Sequence, residues 1–378
     1  MATRLLICAD WFDPGVRAGG PIQSCVNLTL LLGKSERIAV ITSSRDLGCT
    51  TPYSGLVSDK WVNWRGYARV RYCSTSLQRM IIFPFTIRRF LPDTIYLNSM
   101  FSFAGTLWPL IWIFLFRCQA RIVLAPRGML KQSALARKKW KKWPFLCLLR
   151  YAGLTRRVRF HATSNDEVED IRRVFGNVAI SKIPNVPKEP LSNLPSHTKH
   201  PGVVRCCFVG RIHPIKNLLW LLEVLADVKG HVRMTVVGPA EDQDYFLACQ
   251  RAVSKLPTNI NVDFVGPVAE KEVREQLSAA DALVLPTEGE NFGHAIFEAL
   301  SVGTPVVITD RTIWRDLVAQ SAGWDLEFGN RDVFKFVLEN LSRMNHNQHH
   351  LLRCGAFELA HTFFTANRFA EKFKELFS

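Results

Sequence analysis

The segment Glu290-Asn-Phe-Gly-His-Ala-Ile-Phe-Glu298 contains the residues of this chain that are best suited to chemistry. It sets two carboxylates eight positions apart around a Phe-Gly corner. An ionised carboxylate only accepts hydrogen bonds and can take two hydroxyl donors. Gly293 allows a phosphate to approach the backbone closely. The segment therefore predicts a site for a sugar that is attached to a diphosphate.

The elements on either side of this segment predict a strand-to-helix turn. Residues 281–286 have the pattern of a short buried strand, and residues 295–302 have that of the first turns of a helix. In an open α/β sheet, ligands bind beyond the carboxyl ends of the strands, and a helix N-terminus offers free N–H groups to an anion. Each acid taken alone also fits a solvent-exposed position, so the combination with the corner is what favours binding.

The segment resembles the Glu-x7-Glu motif of retaining glycosyltransferase family 4, and other parts of the chain resemble that family in order. These are the glycine loop Ala18-Gly-Gly-Pro21, the Pro-Asn-x-Val of Ile183–Val186, the Gly-Arg and Lys-Asn within Phe208–Asn217, and Gly303-Thr-Pro-Val306. Their order and spacing cover nearly the whole chain. The resemblance implies the GT-B architecture, in which two Rossmann-like, doubly wound parallel-sheet α/β domains face each other across a cleft.

The resemblance also implies roles for the residues around the corner. Glu290 would contact the donor sugar, and Glu298 would hold the ribose hydroxyls of the nucleotide. The backbone amides of Phe292, Gly293 and His294 would bind the phosphates, although His294 also fits a helix-capping or solvent-facing position. A nucleotide-diphosphate sugar is thus the expected donor substrate, with no further cofactor required.

Charged residues and glycines elsewhere are expected to complete the donor site. Arg211 and Lys216 follow a strand, and by resemblance they would neutralise the departing diphosphate, since preorganised cations stabilise charge that develops in a transition state. Glu290, Arg211 and Lys216 are therefore the candidate catalytic residues. Gly19 and Gly20 would let the backbone of the first domain approach the donor phosphates.

The chain departs from the family at the acceptor side of the first domain. Many relatives carry His-Asp or His-Gly at the end of a strand near the transferred sugar, whereas here the strand ends in Arg127-Gly128. A guanidinium cannot act as a general base at neutral pH but can bind a phosphate or a sugar oxygen. Arg127 is therefore the candidate acceptor or phosphate contact, and His161 is the alternative. Front-face attack, by which the family is pictured to retain configuration, needs no enzyme nucleophile.

Strands alternate with helices in both halves of the chain, which is typical of two doubly wound parallel sheets. The proline-rich segment 187–202 lacks a hydrophobic period and predicts a linker. We therefore expect an acceptor-side domain at 1–186 and a nucleotide-sugar-binding domain at 203–362. The remaining segment, 363–378, has a helical apolar pattern, and by resemblance this helix crosses back to the first domain.

The net charge of +15 is concentrated between Asp93 and Asp166, an interval without acidic residues. Within it, residues 136–151 alternate basic residues with tryptophans and then turn apolar, which is typical of a surface that binds anionic lipid. A solvated helix face and a nucleic-acid site are the alternatives, but leucines and tryptophans are poorly suited to tracking phosphates alone. We expect an anionic membrane surface as a partner, and no nucleic acid.

The expected location is the cytoplasm, peripheral on the inner face of the cytoplasmic membrane. The ten cysteines show no paired metal spacing and predict reduced thiols, and the N-terminal segment lacks a signal-peptide pattern. The apolar run 103–116 is too short to span a bilayer. The histidines outside the motifs are expected to be solvated, and no metal site is expected; they are His197, His200, His346, His349 and His350.

The sequence thus predicts a retaining glycosyltransferase of the hexosyltransferase type. It would move a sugar from a nucleotide-diphosphate sugar to a glycan or lipid-linked acceptor, in the synthesis of cell-surface polysaccharide or lipopolysaccharide. The absence of Gly-x-Gly-x-x-Gly after the first strand disfavours a nicotinamide dehydrogenase. The alternatives are a nucleotide-sugar epimerase or phosphorylase of the same fold, and a non-catalytic basic protein that binds membrane or nucleic acid.

Overall fold

A computed structural model of the chain describes residues 2–136, 139–151 and 153–378. The basic residues Arg137 and Lys138 of the predicted membrane segment lie outside the described residues. The chain forms two compact units. Unit 1 comprises the residues up to Val186 together with Arg368–Ser378, and unit 2 comprises Pro187–Asn367.

Unit 1 contains an eight-stranded sheet in the order β3-β4-β2-β1-β5-β6-β7-β8. All neighbouring strands are parallel except the edge strand β3, which is antiparallel to β4. The strands are β1 (Arg4–Cys8), β2 (Arg37–Ser43), β3 (Trp61–Trp64), β4 (Ala68–Cys73), β5 (Thr94–Leu97), β6 (Arg121–Leu124), β7 (Val158–Ala162) and β8 (Ile180–Lys182).

The helices of unit 1 connect these strands, as parallel pairing requires crossovers. They are α1 (Gly20–Leu32), α2 (Ser76–Phe90), α3 (Trp108–Leu115), α4 (Gln132–Ala136), α5 (Lys139–Tyr151) and α6 (Asn165–Phe175). A π-helical turn, Phe103–Leu107, runs directly into α3. None of the helices in the described part of the chain is both long and apolar enough for a membrane span.

Unit 2 contains a six-stranded, wholly parallel sheet in the order β11-β10-β9-β12-β13-β14. Its strands are β9 (Val203–Val209), β10 (His231–Val237), β11 (Ile260–Gly266), β12 (Ala282–Leu285), β13 (Val306–Thr309) and β14 (Gly323–Leu326). Its helices are α7 (Leu218–Leu225), α8 (Gln243–Val253), α9 (Glu270–Ala279), α10 (His294–Ser301), α11 (Arg331–Arg343) and α12 (His346–Ala366).

Each unit has its own hydrophobic core around its sheet. The central strands β5, β12 and β13 are buried at every residue, as expected for parallel strands with helices on both faces. The predicted fold class, two doubly wound parallel-sheet α/β domains, is confirmed. The single antiparallel strand β3 at the edge of unit 1 does not change this class.

The C-terminal segment forms two helices rather than one continuous helix. Helix α12 ends at Ala366, and α13 (Phe369–Phe377) begins after Arg368, whose backbone is left-handed with φ 44°. Helix α13 belongs to unit 1, where Phe373 and Phe377 are buried. Thr94 of β5 donates a hydrogen bond of 2.8 Å to the Phe377 carbonyl. The last helix is therefore part of the core of unit 1.

Candidate active site

The loops that follow β9 and β12 lie at the point where the strand order of unit 2 reverses. Strand β9 pairs with β10 on one side and β12 on the other, so that the chain leaves these two neighbouring strands in opposite directions. In open parallel sheets, a crevice opens at such a switch point beyond the carboxyl ends of the strands, and ligands bind there. The loop after β9 contains Arg211 and Lys216, and the loop after β12 contains Glu290.

Lys216 and Glu290 form an ion pair across this crevice, with about 15% of each side chain exposed (14% and 16%). The two loops are also joined through their backbones. The Glu288 amide donates 2.9 Å to the Ile215 carbonyl, and the Thr287 hydroxyl donates 3.1 Å to the same oxygen. These bonds fix the Lys216 turn against the Glu290 loop, so the pair belongs to a rigid framework rather than to two mobile loops.

The sequence His-Pro-Ile-Lys-Asn builds the turn that presents Lys216. His213 Nδ1 accepts a hydrogen bond of 3.2 Å from the Ile215 amide and so caps a one-turn 3-10 helix, Pro214–Lys216. Asn217 ends this turn in the left-handed region, at φ 59°, which asparagine tolerates better than most residues. Helix α7 begins immediately afterwards. Lys216 and Asn217, which come after Gly210-Arg211 in the loop that follows β9, thus form the end of this turn.

Arg211 lies in the same loop but contacts a different carboxylate. Its guanidinium forms a 2.5 Å ion pair with Glu241, in the loop after β10, and about a third of each side chain is exposed. Gly238 brings these two loops together: at φ 140°, a Cβ added there would lie 2.0 Å from the Gly210 carbonyl oxygen. Sequence reasoning missed Glu241, since no motif marks it; its only signal was its place after a predicted strand.

The Phe-Gly corner is held by an aromatic cluster beneath it. Phe292 is 2% exposed and packs against Trp314, whose indole Nε1 donates 2.7 Å to the Phe292 carbonyl. Gly293 has φ 78° and occupies the cap position before α10, where a larger residue would be strained. The His294 ring contacts the Phe292 ring at 4.9 Å between centroids. These contacts hold the backbone amides of the corner and the N-terminus of α10 in a fixed orientation.

Glu298 lies on the second turn of α10 and is half-buried. Burial, with a smaller contribution from the nearby Glu270, raises the pKa of its carboxyl from 4.5 to about 7, while Arg274 and Lys188 act in the opposite direction. Within the described part of the chain, its carboxylate has neither a hydrogen-bond donor nor an ion-pair partner. A desolvated acceptor without a donor is suited to bind the hydroxyl groups of a ligand.

Arg127 is the centre of a hydrogen-bond network in unit 1. Its guanidinium donates to Asn98 Oδ1 at 2.7 Å, to the Tyr96 hydroxyl at 2.8 Å and to Asn185 Oδ1. Asn98 in turn donates 3.2 Å to the carbonyl of Pro21 at the start of α1. The network thus joins the glycine-loop region, the Arg127 strand end and the Pro-Asn-x-Val segment, and it leaves two of the five arginine N–H donors for other contacts.

His161, the alternative to Arg127, is fully buried at the inner end of this network. Its Nε2 contacts the Ile183 carbonyl at 2.8 Å, and its Nδ1 contacts the Tyr96 hydroxyl at 2.7 Å. Because a carbonyl only accepts, Nε2 carries the proton and Nδ1 accepts from Tyr96. Burial lowers the pKa of His161 to about 3, with Arg127 adding to this effect. The ring is therefore neutral and anchors Tyr96, which in turn accepts from Arg127.

The two glycines of the predicted first-domain loop lie at the beginning of α1. Gly19 occupies the cap position with φ 61°, and its carbonyl accepts from the amides of Ile22 and Gln23 at 3.0 and 3.2 Å. Gly20 is the first residue of the helix. Their place after β1 and before a helix N-terminus is the one at which backbone amides can meet an anion. Their role toward the donor stays a prediction.

Two histidines expected to be solvated are instead buried in unit 2. The side chain of His197 is 2% exposed and contacts Asp281 Oδ1 at 2.8 Å, and His349 contacts the Asp281 carbonyl at 2.7 Å. The prediction was wrong for His197 because the proline-rich segment packs onto the core of unit 2, and for His349 because it lies on the buried face of α12.

His197, Asp281 and His349 could together face a metal ion, but the charges around Asp281 favour another role. Lys199 and Arg205 lie at 3.5 and 3.0 Å from its carboxylate. Burial opposes ionisation of Asp281, but hydrogen bonds from His197 and Arg205 hold its pKa below the usual range. The carboxylate is already compensated by cations of the chain, so the cluster is suited to stabilise the core of unit 2 rather than to bind a metal.

Comparisons with known proteins point to the same region. Residues 204–343 match the family described as "Glycosyl transferases group 1". The D-inositol 3-phosphate glycosyltransferase of Streptomyces scabiei is 33% identical over 109 residues, which are 26% of this chain and 24% of that protein. The chain thus matches only about a quarter of the length of this curated relative. The matched family segment contains the Lys216–Glu290 pair, the Phe-Gly corner and Glu298.

Solved structures resemble the whole chain in fold. A sucrose-phosphate synthase from Thermosynechococcus elongatus superposes with a TM-score of 0.75 at 15% identity, covering 100% of this chain and 98% of that one. Anabaena HepE, in complex with UDP-glucose, superposes with a TM-score of 0.71 at 17% identity and covers 99% of both chains. The fold class is therefore GT-B, shared with glycosyltransferases.

Proposed function

We propose that this chain is a retaining glycosyltransferase of family 4. It transfers a hexose from a nucleotide-diphosphate sugar to a glycan or lipid-linked acceptor, in the synthesis of cell-surface polysaccharide or lipopolysaccharide. The observation that carries the proposal is the Lys216–Glu290 pair at the switch point of a parallel sheet. It is supported by the group 1 glycosyltransferase match over the same residues and by the fold shared with a protein solved with UDP-glucose.

The chemistry follows from the charges around that crevice. Transfer breaks the bond between the sugar C1 and a phosphate oxygen and forms a bond from C1 to an acceptor oxygen, whose proton leaves with the phosphate. Negative charge grows on the departing diphosphate, and the Lys216 ammonium is preorganised to stabilise it. Arg211, in the same loop, can add a second positive charge by turning from the exposed Glu241.

The two carboxylates of the motif have different tasks in this proposal. Glu290 is acceptor-only when ionised and holds the hydroxyl groups of the donor sugar beside Lys216. Glu298 takes the ribose hydroxyls of the nucleotide, which supply the donors that its half-buried carboxylate lacks among the described residues. The Phe292–His294 amides and the N-terminus of α10 bind the phosphates between them.

The proposed acceptor is presented at a membrane. The described basic and aromatic residues of α5 support this, since Trp140 and Trp143 are 74% and 63% exposed on a cationic segment. Aromatic rings and cations on one surface suit the interface of an anionic bilayer. We infer a peripheral protein on the cytoplasmic face of the membrane.

A donor screen followed by a matched pair of variants tests the transfer reaction. Thermal shift with a panel of nucleotide sugars selects the donor, because a ligand of the native state raises the melting temperature. Release of nucleoside diphosphate is then compared for Glu290→Gln and Glu288→Gln. Glu288 is exposed two residues away in the same loop. We expect Glu290→Gln to lose about 10²- to 10³-fold in rate, as when a preorganised polar contact is removed, and Glu288→Gln to keep it.

Three results would contradict the proposal. Full activity of Glu290→Gln would remove the motif from the site, and no stabilisation or turnover with any nucleotide sugar would favour a non-catalytic binding protein. Conversion of the donor without transfer to any acceptor would favour an epimerase or a phosphorylase.

A further inference from the structure

Unit 1 contains a groove of about 700 Å³ between the outer part of its sheet and the C-terminal half of α2. The register of the strands explains its lining. Arg69 of β4 lies beside Ala39 of β2, and Arg71 of β4 lies opposite Trp61 of β3, so that these side chains share one face of the sheet. Helix α2 covers this face. Side-chain alternation along the strands therefore directs a set of arginines into the space beneath a helix.

The groove is strongly cationic. It is lined by Arg4, Arg37, Arg69, Arg71, Arg88 and Arg89, and no carboxylate belongs to its lining. Only Arg4 is ion-paired, to Asp93 at 2.8 Å; for the other five, no described carboxylate lies within ion-pair distance. The Nε of Arg71 is buried without a hydrogen-bond acceptor among the described residues. Clustered cations with an unsatisfied buried donor are complementary to an anion.

Edge protection does not explain these arginines. Inward-pointing charges are found on edge strands, where they oppose pairing with another chain. Here the edge strand is β3, whereas four of the arginines are on the inner strands β1, β2 and β4, and Arg88 and Arg89 are on helix α2. A bound anion would offset the repulsion among these clustered cations.

The other wall of the groove is apolar and continues onto the surface. Trp61, Ile82, Phe85 and Phe90 line it beside the arginines. Leu77, Ile81 and Phe85 are spaced four residues apart on α2 and are 63%, 46% and 60% exposed. Residues with this spacing share one face of a helix, so the groove opens onto an apolar stripe. Contiguous exposed apolar surface of this kind marks an interaction site.

We propose that this groove binds the phosphate of an anionic phospholipid, with the acyl chains along the apolar stripe of α2. The arginines hold the phosphate oxygens by charge-assisted hydrogen bonds, and Arg71 Nε gains the acceptor that it lacks. The site deepens the membrane partner proposed above and rests on it, but it is separate from α5 and independent of the transfer reaction. It gives the protein a defined lipid-headgroup contact in addition to a diffuse basic surface.

Flotation of the full-length protein with vesicles tests the groove. Vesicles of phosphatidylcholine with one third phosphatidylglycerol are compared with pure phosphatidylcholine, using the wild type, Arg69→Gln/Arg71→Gln and Phe85→Ser. Each cation near an anionic surface contributes about a fivefold change in partitioning, so the double variant is expected to bind about 25-fold more weakly. The matched control is the double variant Arg159→Gln/Arg233→Gln, which replaces two exposed strand arginines outside the groove. This control should lose far less vesicle binding.

The outcomes separate the groove from its alternatives. Equal losses in the double variant and in the control pair would overturn the site in favour of general attraction by the net charge. Vesicle binding that is unaffected by both Arg69→Gln/Arg71→Gln and Phe85→Ser would also overturn it. Inorganic phosphate that stabilises the wild type but not the double variant, without vesicle binding, would assign the groove to a soluble anion instead. Because the readout is vesicle binding, a wild type that transfers sugar but does not bind the anionic vesicles would overturn only this inference and leave the proposed function standing.

Discussion

The carboxyl of Glu298 changes its ionisation near neutral pH. Burial raises its pKa to about 7, with a smaller contribution from Glu270. Glu290, by contrast, has the Lys216 ammonium beside it. The two acids of one motif therefore have different electrostatic surroundings. If Glu298 holds the ribose as proposed, a carboxyl pKa of about 7 would make nucleotide binding depend on pH.

We predict that affinity for the selected nucleoside diphosphate rises between about pH 6 and about pH 8, because the ionised carboxylate is the better acceptor for ribose hydroxyls. In Glu298→Gln the affinity should be lower and independent of pH over this range, whereas Glu288→Gln should keep the wild-type profile. Calorimetric titration measures each value. A wild-type profile that is flat across this range would contradict the assignment of Glu298.

The same pKa has the opposite effect on stability. An acid whose pKa is raised by folding binds more protons in the folded than in the unfolded state, so stability falls as pH rises from about 4.5 through about 7. Glu298→Gln should therefore melt at a higher temperature than the wild type above pH 7 and at a similar temperature near pH 4.5. Thermal denaturation at both pH values checks the sign.

Residue types and spacing were enough to place Lys216 and Glu290 in one crevice, because both follow buried strands. They were not enough to predict the partner of Arg211. Its pairing with Glu241 depends on how closely the loops after β9 and β10 approach, and Gly238 determines that distance. The role of Arg127 was also underdetermined, since its partners come from two distant strand ends: Tyr96 and Asn98 from the end of β5, and Asn185 from the segment after β8.

At the level of elements, the loops of unit 2 depend on two glycines with different surroundings. Gly238 and Gly266 end the neighbouring strands β10 and β11, and both have positive φ, of 140° and 80°. A Cβ on Gly238 would meet the Gly210 carbonyl at 2.0 Å, whereas a Cβ on Gly266 would meet nothing within 4 Å. Substitutions at these two glycines therefore distinguish backbone strain alone, at Gly266, from strain combined with a steric clash, at Gly238.

We predict that Gly238→Ala destabilises the protein by at least ~3 kcal/mol, because backbone strain and displacement of the β9 loop add together. Gly266→Ala should cost only about 1 kcal/mol, from left-handed strain alone. Urea denaturation measures both changes. If the two substitutions cost the same, the close approach of the loops after β9 and β10 does not control the position of Arg211.

The apolar runs predicted most strands of both sheets, with ends that differ by one or two residues. Strand β12 (Ala282–Leu285) lies within the buried strand predicted at 281–286, because it is a continuous apolar run. Strands β3, β4, β7, β8 and β14 were missed. In β4, Arg69 and Arg71 alternate with buried residues, so that the segment lacks a continuous apolar run. The same alternation produces the arginine groove, and it is visible only once the partner strands are known.

At the level of the whole molecule, unit 2 is one continuous segment, whereas unit 1 is made from two segments that are distant in sequence. The helix that completes unit 1 contributes Phe373, which is 1% exposed and contacts the His161 ring at 5.2 Å between centroids. Unit 1 therefore depends on residues that follow all of unit 2 along the chain.

We predict that Phe373→Ala destabilises unit 1 by about 3–5 kcal/mol, as expected for a buried phenylalanine. Phe336→Ala is the matched control, since Phe336 is 63% exposed on α11 and should change little. Hydrogen exchange resolved by segment measures the effect, with faster exchange in β5 and unchanged exchange in β12. Equal loss of protection in both strands would contradict the independence of the two cores.

The discontinuity of unit 1 has a consequence for synthesis on the ribosome. Domains commonly fold in the order in which they emerge, beginning with the N-terminal one. Here the second unit has its whole sheet available once Asn367 has emerged, while the first still lacks the helix that closes its core. Unit 2 is then the first to mature, and unit 1, with its arginine groove and exposed tryptophans, is completed only when its last helix has been synthesised.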